Sequence, residues 1–279
     1  MSRAPLGMIA GQGALPLRIA EAQVAAGREV FIIGVNNEAH PAIETYPHQW
    51  CEIGEVKRCA DVLRQAGCEE VVIIGAVQRP NLEAMQSDEG GQWVLNKVME
   101  NKQLGDDVLL STLVSYFLTQ GLSVKPAEAF LAALIGPLGQ LGDVAISPHE
   151  ADVSRGLDVA RAIGALDIGQ CVVVGRRVTL AVEGPEGTDA MLKRVAGLSR
   201  ELRGSAEARC GVLVKLPKPQ QDRRVDLPTI GVQTVTLAAD AGLAGIIYEA
   251  GGVLLADMEN TKAAVDQAGL FLVGVEKTA

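Results

Sequence analysis

The chain has 279 residues, 48% of them hydrophobic, and carries a formal net charge of −9, so it has apolar material for one large or two medium cores. That acidic balance, with an aromatic content of 3%, removes the basic footprint and the stacking platforms that nucleic-acid binding needs. Five scattered cysteines without a CxxC and three histidines without an HxxxH pair exclude a disulfide framework and a zinc site, and suit a reduced cytoplasmic compartment.

The N-terminus lacks a signal-peptide pattern, and no apolar run reaches the roughly 18 residues of a membrane span. Residues 6–10 read as a strand, followed by the turn Gly11-Gln12-Gly13 and a helix that opens near Pro16 and runs to Gly27. Residues 29–35 read as a second strand. Residues 56–67 form an amphipathic helix with Val56, Cys59, Ala60 and Leu63 on one stripe. The run VVIIGAV at 71–77 has the continuous apolar character of a parallel strand covered on both faces. Strand and helix alternating around glycine turns predict a Rossmann-like half.

Helices are predicted over 93–101 and 106–120, the second capped by Asp106 after Gly105. The apolar stretch 130–141, broken by Gly136, Pro137 and Gly139, is expected to be a buried helix entering an interdomain connection, or else a greasy groove for an acyl chain. The expected organisation is therefore an N-terminal domain over 1–135, a linker over 136–148 and a C-terminal domain over 149–279. In the second half, helices are predicted over 150–166, 187–198, 232–241 and 260–268. Strands are predicted over 211–215, 245–248, 253–256 and 270–273, with a hairpin of 171–174 and 179–183 across Gly175-Arg176-Arg177. The fold class is α/β in two domains, an N-terminal Rossmann-like parallel sheet and a C-terminal α/β domain.

Chemistry concentrates at the ends of these strands. The segment KPQQDRRVDLPTIG at 218–231 follows a strand and mixes cations, carboxylates, amides and prolines, the assortment that holds a phosphate ester beside a divalent metal. Lys215 and Lys218 are candidate phosphate cations, and Asp222 and Asp226 are candidate ligands for Mg²⁺, which needs only one or two protein carboxylates beside phosphate oxygens. Gly11, Gln12 and Gly13 can offer backbone donors at a helix start, Gln78 and Arg79 stand beyond the 71–77 strand, and Gly187, Thr188 and Asp189 open another helix. Pro16 occupies the third-glycine position of a dinucleotide fingerprint and Gly34-Val35-Asn36-Asn37 lacks the acid that would hold a ribose, which disfavours a nicotinamide oxidoreductase. No nucleophile elbow is present, so water attack on phosphorus is favoured over covalent catalysis. A solvated, proline-broken connection is the bland alternative for the 218–231 segment.

Several of these pieces together resemble the two-domain UDP-2,3-diacylglucosamine pyrophosphatases of lipid A biosynthesis, distinct from the metallophosphoesterase type. The matching pieces are GMIAGQGALP (7–16), GAVQRP (75–80), GDDVLL (105–110), RGLDVARAIGALDIGQCVVV (155–174), EGTDAML (186–192), GVLVKLPKPQQDRRVDLPTIG (211–231), AGLAGIIYEAG (241–251) and AGLFLVG (268–274). They run in order over nearly the whole chain. The resemblance implies Mg²⁺-dependent hydrolysis of a lipid-linked sugar nucleotide to UMP and 2,3-diacylglucosamine 1-phosphate, with the substrate held in the interdomain cleft. It makes Asp226 of DLPTIG the indispensable carboxylate, as metal ligand or as the base orienting water, with Gln221 and Thr229 as substrate contacts. Gln220 stands where the family often has glycine. Peripheral contact with the cytoplasmic face of the inner membrane and a homodimer are left open, and the alternative to an enzyme is a carrier of a phosphorylated lipid or nucleotide.

Overall fold

The computed structural model describes residues 3–78, 81, 85–100 and 106–277. The chain divides into two compact units, Met1–Ala132 with Asp222–Asp226, and Ala133–Gln221 with Leu227–Ala279.

The first unit is a parallel sheet of β1 (Leu6–Ala10), β2 (Val30–Val35), β3 (His48–Cys51), β4 (Glu70–Ile74) and β5 (Ser123–Val124), with helices α1 (Leu15–Ala25), α2 (Val56–Gln65), α3 (Glu89–Glu100) and α4 (Asp106–Thr119). Its strand order, β3-β2-β1-β4-β5, is that of a doubly wound sheet whose chain reverses direction between β1 and β4. All its pairings are parallel. Apolar residues of β1, β2 and β4 pack with the predicted α2 stripe Val56, Cys59, Ala60 and Leu63 and with Tyr116 and Phe117 of α4 in one core.

β4 ends at Ile74, earlier than the apolar run to 77 predicts, because Gly75 turns the chain at φ +99°. β3 and β5 are additional to the sequence reading, and α3 begins four residues before the predicted Trp93. The Asp88 carboxylate explains that early start. Its Oδ1 accepts from Gly91 N at 2.8 Å in the first turn of α3 and from Lys57 N at 3.1 Å, while Oδ2 accepts from Arg58 N at 2.9 Å. One carboxylate thus satisfies donors at two helix starts, and α2 has no cap from its own N-cap side chain. Arg79, Asn101, Gly105 and the capping side chain of Asp106 lie outside the described residues.

The second unit holds a mixed six-stranded sheet in the order β6-β13-β11-β9-β7-β8. These strands are β6 (Gly139–Leu141), β7 (Cys171–Gly175), β8 (Val178–Val182), β9 (Val212–Lys215), β11 (Gly245–Glu249) and β13 (Phe271–Val275). A separate short parallel pair is made by β10 (Thr229–Ile230) and β12 (Leu254–Leu255). β9, β11 and β13 run parallel, whereas β6, β7 and β8 join antiparallel at the flanks. The helices are α5 (Glu150–Ala165), α6 (Gly187–Ala196), α7 (Arg200–Arg203), α8 (Val232–Asp240) and α9 (Met258–Ala268).

The buried helix expected over 130–141 is not formed. Short 3₁₀ turns at Ala127–Ala129 and Ala132–Leu134 precede β6, which adds to the edge of β13, and Leu138 is 60% exposed. Glycine and proline broke the helical hydrogen-bond pattern, and the edge of β13 supplied the partners that the backbone needed. The predicted β7–β8 hairpin is present. Its tip holds Arg176 and Arg177 at φ +52° and +65°, unfavourable for residues with a Cβ, while both N–H groups donate to the buried Asp152 carboxylate at 3.1 and 2.5 Å.

Replacing Asp88 with alanine should destabilise the first unit by about 2 kcal/mol, since a lost cap typically costs about 1 kcal/mol and two helix starts are affected. Chemical denaturation followed by helical circular dichroism checks this; a loss below about 0.5 kcal/mol would contradict the shared cap.

Candidate functional site

In the first unit, the sheet's reversal point brings two predicted turns together. Gly11 N donates to Ile74 O at 2.9 Å, Gln12 N to Ala76 O at 2.7 Å, and Ala76 N returns a bond to Gln12 O at 3.2 Å. This contact requires glycine on both sides. A Cβ on Gly11 would lie 2.4 Å from Ala76 O, and one on Gly75 would lie 2.7 Å from Gln12 O. The Gln12 amide donates to Glu38 Oε2 at 2.5 Å. Beyond it, α1 begins without a side-chain cap, so its first N–H groups and the positive end of its dipole are suited to an anion. Gln12, Gly13 and Gln78 are exposed at this end of the sheet, where α/β sheets commonly bind ligands. Arg79 lies outside the described residues.

The segment Asp222–Asp226, which also belongs to the first unit, forms one tight turn. Val225 N and Asp226 N both donate to Asp222 O at 3.0 Å, and Val225 packs on the core of that unit. The Asp222 carboxylate is held by the Arg224 guanidinium, with Nε to Oδ1 at 2.9 Å and Nη2 to Oδ2 at 2.6 Å, and by Arg224 N at 3.1 Å. The Arg224 bonds hold the Asp222 carboxyl below its ordinary value, although burial opposes them. Asp226 is half-buried. The two aspartates expected to share one cation thus lie in one turn, but Asp222 already has a charged partner.

In the second unit, Lys215 at the end of β9 is 5% exposed. Its Nζ donates to Thr188 Oγ1 and to Thr229 O, each at 3.0 Å. Thr188 Oγ1 donates in turn to Glu183 Oε1 at 2.7 Å, and Glu183 Oε2 accepts from Gln170 N at 3.0 Å. Glu183 and Thr188 are buried as well. The structure therefore brings Lys215, Thr188 and Thr229 together. Asp189, beside Thr188, is exposed in the first turn of α6, and Gly187 precedes it at φ +79°.

Nearer the surface, Lys218 Nζ donates to Asp167 Oδ1 at 2.7 Å. The Gln221 amide oxygen accepts from Lys218 N at 2.8 Å, and its Nε2 donates to Gln170 Oε1 at 3.2 Å. Gln220, at the family's glycine position, donates to Gly164 O at 3.0 Å. Cys171, paired with Lys215 across the sheet, has its thiol pushed up to about 12 by burial, which keeps it neutral and unsuited to nucleophilic work. Glu183, Gln170 and Asp167 were absent from the sequence-predicted set. Glu183 carried only the signal of an acid before a helix, while Asp167 and Gln170 lie in the matching piece 155–174 with no role marked for them there.

Among the described residues no group of three or more His, Cys, Asp or Glu side chains is arranged to hold a metal, and no helix is long and apolar enough to cross a membrane.

These features define an α/β protein of two units whose polar turns, suited to anions, stand at strand ends. The chain belongs to the LpxI family: the LpxI N-terminal domain matches residues 5–134 and the LpxI C-terminal domain residues 137–273. It is 46% identical over 272 residues to the UDP-2,3-diacylglucosamine pyrophosphatase LpxI of Caulobacter vibrioides, covering 97% of each chain. Solved structures give faint likenesses that carry no argument. The biotin carboxylase subunit of pyruvate carboxylase is 14% identical with a TM-score of 0.27, covering 72% of this chain and 42% of that one. N5-carboxyaminoimidazole synthetase from Staphylococcus aureus is 14% identical with a TM-score of 0.25, covering 65% and 42%.

Because Arg224 favours the charged form of Asp222, that pair contributes stability above the ordinary aspartate value of 3.8 and loses it as pH falls through the lowered one. In Arg224→Met, the Asp222 carboxyl followed by carbon NMR should titrate closer to 3.8; an unchanged titration would rule out the guanidinium as the cause.

Proposed function

We propose that this protein hydrolyses the pyrophosphate bond of UDP-2,3-diacylglucosamine, giving UMP and 2,3-diacylglucosamine 1-phosphate in lipid A biosynthesis. The observation that carries this reading is the 46% identity to a pyrophosphatase of that specificity across 97% of both chains. In the reaction, water adds to one phosphorus, the bridging oxygen leaves with the other, and two phosphate monoesters result.

The residues have separable tasks. The half-buried Asp226 carboxylate is the general base, accepting a proton from the attacking water. Negative charge developing on the phosphates needs donors set in advance. The Gly13 N–H and the open start of α1 offer them in the first unit, as do the N–H groups of Thr188 and Asp189 at the start of α6 in the second; those of Gly11, Gln12 and Gly187 are engaged by Ile74 O, Ala76 O and Gly184 O and shape the turns instead. Lys218 and Arg79 are the candidate side-chain cations, and Gln78 and Gln221 the candidate amide contacts.

Mg²⁺ fits the donor chemistry. It takes hard oxygen ligands, and one carboxylate with phosphate oxygens and water satisfies it. Asp226 would hold it. Asp222, already engaged by Arg224, is the lesser donor. When bound, the ion supplies charge neutralisation at the phosphates. The two acyl chains of the substrate favour peripheral contact with the cytoplasmic face of the inner membrane.

Asp226→Ala should keep the fold, judged by circular dichroism and melting temperature, and lower UMP release from UDP-2,3-diacylglucosamine by about a hundredfold or more. Near-normal release by the folded variant would remove Asp226 from the mechanism.

A further inference from the structure

Lys215 is buried at the end of a core strand, where an ammonium group is costly unless its donors are satisfied. Its bonds to Thr188 and Thr229, and the bond from Thr188 to Glu183, place one hydroxyl between a buried cation and a buried carboxylate. That hydroxyl has a single proton. Because the ammonium can only donate and the carboxylate can only accept, the proton must point to Glu183.

The bonds continue beyond this trio. Glu183 accepts from Gln170 N, Gln170 O accepts from Leu216 N at 3.0 Å, and Gln170 Oε1 accepts from Gln221. Along the chain, Gln221 immediately precedes Asp222, and Thr229 follows Asp226 by three residues. Both chain ends of the acid-bearing segment therefore hang on one network in the second unit.

We propose that Glu183, Thr188 and Lys215 form a buried positioning relay that fixes both ends of the segment carrying Asp222 and Asp226, so that its contribution is to turnover rather than to stability or substrate affinity. The three side chains act through that segment and not on the substrate, and the Thr188 N–H offered to phosphate is kept in every variant below; the proposal deepens the hydrolase reading and rests on it. A buried pair held for position differs from one held for stability, because apolar replacement of both charges often leaves stability intact.

The test compares Thr188→Val, which removes the hydroxyl at nearly constant shape, with Thr188→Ser, which retains it. Thr188→Val should lower kcat by about tenfold to a hundredfold, the range that small misplacement of reacting groups produces, with KM nearly unchanged. Thr188→Ser should recover most of the loss. Hydrogen exchange of the apo protein should rise over residues 216–230 in Thr188→Val and stay unchanged in β13 and α9. If Thr188→Val does not fold, the double variant Glu183→Leu/Lys215→Met takes its place, with the same kinetic and exchange results expected at near-normal stability. An unchanged kcat, a rise in KM alone, or exchange that rises throughout the unit would each overturn the relay. If the wild-type protein releases no UMP, the hydrolase reading fails, and the exchange pattern still decides whether the relay exists.

Discussion

A lysine at the end of a buried strand must find acceptors inside the protein, and that requirement organises the polar end of the second unit. Lys215 pairs in the sheet with Tyr248 on one side and Cys171 on the other, so its backbone position is set by strands that are almost wholly buried. With the stem fixed, the ammonium has few directions available. Thr188 from the start of α6 and the carbonyl of Thr229 meet it, and Glu183 balances its charge through the threonine hydroxyl. Through these bonds the loop leaving β8 and the strand β10 that follows β9 are both tied to this one buried cation.

The first unit meets a different constraint, close backbone approach. Its sheet reverses between β1 and β4, and the two strand ends come together only because Gly11 and Gly75 present no Cβ to the opposing carbonyls. The result is a tight, backbone-lined start to α1 with little side-chain obstruction. Asp88 shows the same economy in another form, one carboxylate capping two helices. The open start of α1 suits recognition of phosphate by fixed N–H groups, whereas Asp88 occupies the N–H groups at the starts of α2 and α3 and closes them to an anion.

Much of the fold was legible because burial leaves a periodic signature. β1 ends where the apolar run meets Gly11, and α2 shows its stripe in four residues that all enter the core. Short edge strands left no such mark. β3 is HQWC, β6 is GQL, and neither alternates or carries an apolar run; their partners are set by tertiary contact. The early start of α3 depends on Asp88, whose value as a cap is evident only when α2 and α3 meet. The polar site was legible in composition and not in geometry. The sequence marks Lys215 and Asp222 as charges near phosphate chemistry, whereas their observed partners are Thr188 and Thr229 for the first and Arg224 for the second. Glu183, far from Lys215 along the chain, could be linked to it only through folded coordinates. The reading of function rested on the ordered set of motifs, which the match across both family domains supports.

The most direct measurement is a time course of the purified protein with UDP-2,3-diacylglucosamine, following nucleotide and lipid products together. The account predicts equal amounts of UMP and 2,3-diacylglucosamine 1-phosphate, formation that stops on chelation of divalent ions and resumes when magnesium is restored. Recovery of bound but intact substrate after prolonged incubation with magnesium would contradict it and identify a carrier instead.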